Sequence, residues 1–336
     1  MPLTTRDSLM IDLTYSDEQS QVASSIQALV TREFPLRRLA TPSGGGDLNK
    51  WALMAGQGWF GLGLPGDRGG IGYGPVEETI LLQQAARGLV TPSLLATILA
   101  VRAADALNDA PLRDALLAGD SRAALAFGAA GDGSGRVIQA EGADVFLSWD
   151  ASGLQLIDAR AVSMEPRGSA DPSLTLHRFI APGNGVRRCE DPALVDLAEL
   201  CAAAVLLGIA EETAARATDY AGTREQFGQP IGRFQSIKHI CAEMATRAEA
   251  LRAQVCYAAI MLDAGTPMAP AEVSAARLVA RDYAWLNCEA NIQVHGAIGF
   301  TQEFDAHFFL KRANLMNLAG PARAESGRML LARAAG

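Results

Sequence analysis

Two short segments in the C-terminal half of this 336-residue chain carry residues of the kinds that grip a phosphate-bearing ligand. The first reads Asp219-Tyr220-Ala221-Gly222-Thr223-Arg224-Glu225-Gln226-Phe227-Gly228-Gln229-Pro230-Ile231, with Phe234, Gln235 and His239 just beyond. Arg224 ends a helical stretch and begins a Gly-punctuated turn, so its planar guanidinium stands where two hydrogen bonds could clamp a pyrophosphate. Phe227 offers an apolar plane beside it. The second reads Gln293-Val294-His295-Gly296-Ala297-Ile298-Gly299-Phe300-Thr301-Gln302-Glu303, followed by Lys311-Arg312. Gly296 and Gly299 would let backbone approach a ligand more closely than any side chain allows. Each segment alone has a plainer reading: an Arg at a helix end satisfies the last carbonyls, and a Gly-x-x-Gly turn is often only a turn.

For acid–base chemistry the candidate is Glu199, in the apolar run Leu197-Ala198-Glu199-Leu200-Cys201-Ala202. Burial there would raise a carboxylate's pKa and suit it to proton abstraction. The alternatives are an interface ion pair or a solvated position. Glu325 reads as an exposed helix residue, and His295 as a packing or cofactor-contact residue. The five cysteines lack metal-ligand spacing and read as buried thiols, and four scattered histidines make a zinc or iron site improbable.

These residues must be positioned by helices. Ser16-Asp17-Glu18-Gln19 has the form of a capping box and opens an amphipathic stretch to Phe34. Gly44-Gly45-Gly46 breaks the chain before a short helix over 48–57. Further helical segments follow near 76–87, 93–107 and 111–118. Between 123 and 182 the period shortens, with Val137, Phe146, Leu154, Leu156, Ile157 and Phe179 in short runs between turn residues. Helix returns near Pro192. Ile237, Cys241, Met244, Ala248, Leu251, Val255, Ala258 and Leu262 then form the seam of a long bundle helix, stopped by Gly265 and Pro267, and another helix spans 270–294.

A formal net charge of -8 argues against generic nucleic-acid binding, which requires a basic surface. The first 14 residues lack the layout of a secretion signal, and no membrane span is read, so a cytoplasmic protein is expected.

Taken together, the two C-terminal segments match the Tyr-x-x-x-Arg-x-x-Phe-Gly-x-Pro-Ile and Gln-x-x-Gly-Gly-x-Gly patterns of acyl-CoA dehydrogenases, in order and at the expected separation. The chain resembles that family over most of its length, with looser agreement at Gly58-Trp59-Phe60-Gly61-Leu62, Gly69-Gly70-Ile71-Gly72 and Arg87-Gly88-Leu89-Val90-Thr91-Pro92. The resemblance implies a mainly α protein with a small β domain: an N-terminal helical domain (1–120), a reduced middle β domain (121–186), and a C-terminal four-helix bundle (187–336). It implies that Arg224, Gln226, Phe227, Gln293 and Gly296 reach across a subunit interface to the ADP half of an FAD bound mainly by a neighbour, and that Phe234 and Gln235 also touch the cofactor.

The family's flavin-ring loop, of Glu-x-Gly-x-Gly-Ser-Asp type, survives only as fragments in residues 128–135. Its Trp-Ile-Thr-like strand corresponds to Val145-Phe146-Leu147-Ser148-Trp149-Asp150, without the hydroxyl that follows the Trp. The turn that carries the family's catalytic Glu reads Asn317-Leu318-Ala319-Gly320-Pro321-Ala322, with no carboxylate. Some members place the base on the helix before the Arg motif, within one residue of Glu199. This combination resembles the short subunits of heteromeric α2β2 bacterial enzymes that dehydrogenate steroid side-chain CoA thioesters and pass electrons to an electron-transfer flavoprotein. Two rivals stand beside that reading: a self-sufficient homo-oligomer with Glu199 as base, and a structural subunit that never meets flavin.

Overall fold

The computed structural model describes residues 12–41, 47–128, 134–180 and 185–334. The Gly44–Gly46 break, residues 1–11 and residues 129–133 of the flavin-loop fragment lie outside the described residues.

The chain enters through α1 (Asp17–Glu33), whose start is a complete capping box: Ser16 Oγ accepts from Gln19 N, and the Gln19 side chain returns to Ser16 N. Helices α2 (Trp51–Gly56), α3 (Pro75–Arg87), α4 (Ser93–Ala106) and α5 (Ala110–Ala118) follow. Almost every residue of α4 is buried, since it packs between the other helices and a sheet.

That sheet has seven strands: β1 (Ala123–Phe127), β2 (Ser134–Ile138), β3 (Val145–Asp150), β4 (Gly153–Asp158), β5 (Ser163–Arg167), β6 (Leu176–Ile180) and β7 (Val186–Cys189). Their order is β5-β6-β2-β1-β3-β4-β7, and every pairing is antiparallel except β1 with β3. The last strand runs to Cys189, past residue 186. Its Val-Arg-Arg-Cys sequence has no apolar alternation to announce a strand.

The bundle consists of α6 (Pro192–Thr223), α7 (Gln235–Asp263) and α8 (Ala269–His295), which pack on one another, with α9 (Ala306–Leu318) against α8 and α6, and α10 (Arg323–Ala334) against α8. In α7 the core-facing residues include Met244, Ala248, Leu251, Val255 and Ala258, the seam that periodicity indicates. Helix α6 is long and apolar enough by composition to cross a membrane, but 83% of its most apolar window is buried within the protein. It packs against α3, α7, α8 and the sheet, and so forms the spine of the molecule.

One buried cation ties the three layers together. Arg312 of α9 is paired with Asp171 at 3.2 Å, donates to the carbonyls of Leu89 and Val90 at 2.9 and 3.0 Å, and reaches Ser173 Oγ at 3.3 Å. Both members of the ion pair are almost fully buried, which requires these additional hydrogen bonds.

Candidate functional site

Helix α6 ends at Thr223, and Arg224 caps it with an extended backbone, its N–H donating to Tyr220 O at 2.8 Å. The chain then folds into a short ribbon, β8 (Glu225–Gln226) against β9 (Gln229–Pro230). The two residues at its tip, Phe227 and Gly228, have φ of 54° and 78°, as a tight two-residue hairpin demands. Glycine accepts this conformation readily, whereas a bulky aromatic there is an outlier of the kind found at ligand sites. The Phe227 ring is 92% exposed and meets Phe234 edge-on at 6.1 Å.

Facing this ribbon is the end of α8. His295 stacks on Tyr220 with ring centroids 4.2 Å apart, and Gly296 breaks the helix at φ 66°. Between the two segments lies an open groove of about 430 Å³, lined by Tyr220, Arg224, Gln226, Ile231, Val294, His295, Ala297 and Ile298. Arg224 is exposed, and among the described residues nothing pairs with its guanidinium. A Cβ placed on Gly296 would meet nothing within 4 Å. An unpaired guanidinium, an exposed aromatic and an open glycine turn beside a groove of this size fit the phosphates and sugar of a dinucleotide.

The sequence-derived residues divide accordingly. Arg224 and Gln226 line the groove, whereas Phe227 and Phe234, which meet edge-on, are not part of its lining. Gln235, at the start of α7, and Gln293, in the last turn of α8, are both exposed but outside its lining. A Cβ on Gly299 would stand 3.1 Å from both His295 Cβ and Ile292 O, a tight fit against the end of α8.

The interior around Glu199 is arranged differently. Glu199 is 2% exposed, as its apolar neighbours suggest. Its Oε1 accepts from the indole N–H of Trp149 at 2.9 Å, and Arg277 Nε stands 3.7 Å away. Arg277 has no exposed surface, and burial pulls its pKa down to about 10, with the Glu199 charge opposing, so it stays protonated at neutral pH. The pair is thus an intrachain, buried one, neither at an interface nor solvated.

The turn after α9 completes the arrangement. Arg277 Nη2 donates to the carbonyls of Met316 and Ala319 at 2.8 and 2.9 Å, and Arg281 Nη2 donates to Pro321 O at 2.7 Å. Gly320 has φ 76°, and a Cβ on it would collide with both Trp149 Nε1 and Glu199 Oε1. Sheet, α6 and turn therefore meet with no space between them. Among the described residues, Trp149, Glu199 and Gly320 leave no room for a ligand between strand, helix and turn. Trp149 is buried, and Asp150 beyond it is engaged by Ser152 and Arg188. The nearby apolar cavity between α3, α4, α6 and α9 holds about 20 Å³, room for about one water, far short of an acyl chain. Arg277 and Arg281 are not among the residues to which the motifs point. Their signal is two cations four residues apart on the face of α8 that also carries Ala280 and Ala284.

The described residues contain no group of three or more His, Cys, Asp or Glu able to hold a metal. The cysteines are unpaired, and all but Cys241 are buried.

Comparison with known proteins agrees with the motifs. The model of the acyl-CoA dehydrogenase N-terminal domain matches residues 16–108, and that of the C-terminal domain matches residues 195–335. Acyl-CoA dehydrogenase FadE34 of Mycobacterium tuberculosis is 37% identical over 291 residues, covering 80% of this chain but only 40% of its own longer one. Acyl-CoA dehydrogenase IpdE2 of the same organism is 30% identical over 308 residues, covering 90% of this chain and 92% of its own. The fold is shared with the ChsE4–ChsE5 complex of M. tuberculosis, at 21% identity and TM-score 0.80 over 97% of this chain and 99% of the other. It is shared also with the steroid ACAD Tcur3481–Tcur3483, at 24% identity and TM-score 0.77 over 95% and 99% of the two chains. With IpdE2 aligned along nearly its whole length and both domain models matched in order, this chain belongs to the acyl-CoA dehydrogenase family of FAD-dependent oxidoreductases.

Proposed function

We propose that this chain is one subunit of a heteromeric acyl-CoA dehydrogenase, supplying the nucleotide corner of an FAD site whose flavin ring and catalytic base belong to a companion subunit. The observation that carries the reading is the contact of Trp149, Glu199 and Gly320, which closes the interior of this chain while the surface groove at Arg224 stays open. Bound FAD would supply the oxidant, accepting a hydride from the acyl β-carbon. Arg224 would hold the diphosphate with a bidentate fork, Gln226 and Gln293 would add polar contacts, and Phe227 and Phe234 would cover the ligand's apolar face. Gly296 keeps the approach open, and Gln235 stands at the adjoining helix start. Glu199, engaged by Trp149 and Arg277, serves the fold.

The acyl group is proposed to be a steroid side-chain CoA thioester, on the strength of the steroid ACAD among the structural neighbours. Electrons would pass on to an electron-transfer flavoprotein in the cytoplasm. An α2β2 assembly is supported by a structural neighbour solved as a two-component complex. The self-sufficient homo-oligomer is the weaker reading, because it needs a substrate-accessible base where Glu199 is 2% exposed.

The test is co-purification with the companion dehydrogenase, followed by flavin quantitation. The proposal expects half as many FAD molecules as chains, and loss of most of that flavin in Arg224→Ala. Full flavin content and turnover in Arg224→Ala would favour a purely structural subunit.

A further inference from the structure

The groove carries a histidine whose protonation pattern the fold dictates. Nδ1 of His295 lies 2.7 Å from the carbonyl oxygen of Asn291, one turn back on α8. A carbonyl only accepts, so Nδ1 holds the hydrogen, and the neutral ring keeps its lone pair on Nε2. The ring is fixed from two sides, stacked on Tyr220 at 4.2 Å and 25° and leaning on Phe304 at 4.8 Å and 54°. Burial lowers the pKa of the imidazole and nearby Arg216 lowers it further, against the opposing Asn291 bond, which keeps the neutral form dominant at physiological pH. No donor among the described residues reaches Nε2, while the ring lines the groove beside Arg224.

The groove therefore pairs two complementary groups. Arg224 can only donate, and it suits phosphate oxygens. His295, in this tautomer, can accept. A dinucleotide offers both kinds of partner, anionic oxygens on its diphosphate and O–H and N–H groups on its adenosine. We propose that His295 presents Nε2 to the groove as a hydrogen-bond acceptor for an O–H or N–H group of the cofactor's adenosine half, while Arg224 holds the diphosphate. This assignment rests on the half-site reading above and adds to it the group that distinguishes an adenosine from a bare pyrophosphate.

The test uses the assembled complex, stripped of flavin and titrated with FAD while flavin fluorescence is followed. His295→Phe keeps an aromatic ring against Tyr220 and removes the acceptor. His295→Gln returns an acceptor, and His295→Met offers none on a chain of similar length. Loss of one neutral hydrogen bond should weaken FAD binding by about three- to tenfold in the Phe and Met variants, with the Gln variant within about twofold of the parent. If the Phe variant fails to assemble, the Gln and Met pair carries the same comparison. A flavin dinucleotide with hypoxanthine in place of adenine separates the donors: parent complex binding it as weakly as His295→Phe binds FAD identifies the exocyclic amine, and unchanged binding identifies a ribose hydroxyl. Equal weakening in the Gln and Met variants would reduce His295 to packing and overturn the assignment. Unchanged affinity in the Phe and Met variants, with Arg224→Ala still weak, would also overturn it and leave the half-site reading intact. If Arg224→Ala is unchanged as well, the half-site reading itself fails.

Discussion

The indole N–H of Trp149 donates a 2.9 Å hydrogen bond to Oε1 of Glu199, a carboxylate that is 2% exposed. In the sequence these residues were candidates for two separate roles, the Trp on the strand that supports a flavin ring and the Glu as proton acceptor. In the structure each satisfies the other, and Arg277 neutralises the carboxylate. Glu199→Gln should accordingly leave turnover of the assembled enzyme within about threefold while costing about 3 kcal/mol of stability, because a buried guanidinium loses its counter-charge. Thermal unfolding and steady-state kinetics on one preparation decide the matter. A fall in turnover by several orders of magnitude at unchanged melting temperature would make Glu199 the base.

Gly320 is where that contact is closest. Any side chain there must displace Trp149 or Glu199 and must also adopt φ 76°. Gly320→Ala should destabilise the chain by about 1–3 kcal/mol, read from chemical denaturation midpoints at unchanged slope. A neutral result would mean that the space between turn and strand is larger than described.

Arg312 should be less tolerant still. Replacing it by Met leaves Asp171, with no exposed side-chain surface, without its counter-ion and unties the carbonyls of Leu89 and Val90. The expected cost is about 3–5 kcal/mol. Limited proteolysis should cut faster at the junctions of helices and sheet, and a protease-resistance profile like the parent's would count against the node.

A pH effect follows from Glu211, whose carboxylate oxygens both accept from Gln83 Nε2, at 2.9 and 2.8 Å. Burial raises its pKa above the ordinary 4.5, against the opposing Gln83 bond. The folded state then binds more protons than the unfolded state above that value, so this group's contribution to stability is full at acid pH and is lost as pH rises through the elevated pKa. Glu211→Gln should melt higher than the parent at neutral pH, with the difference shrinking as pH falls through the elevated pKa and gone below about pH 4.5. A constant difference across that range would contradict the linkage.

Much of this fold was legible because it rests on local rules. The capping box at Ser16, the seam of α7 and the stops at Gly265 and Pro267 are written in consecutive residues. The position of Arg224 at a helix end followed from the turn residues after it. Other features depend on contacts distant in sequence. Trp149 and Glu199 are 50 residues apart, and Arg277 reaches the Ala319 carbonyl across 42. No periodicity marks such a pairing, so the sequence shows that Glu199 is buried but not which residues partner it. A glycine packed tightly against α8, as Gly299 is, has the same letter as one left open for a ligand.

In the proposed assembly this chain offers the nucleotide corner of a flavin site and has no ring site of its own. The most direct measurement is the flavin content of the chain purified alone, without its companion, after incubation with excess FAD and removal of the unbound cofactor. Colourless protein with no stably bound flavin and no acyl-CoA dehydrogenation is the expected result. A yellow homo-oligomer that retains one FAD per chain and oxidises an acyl-CoA would contradict it.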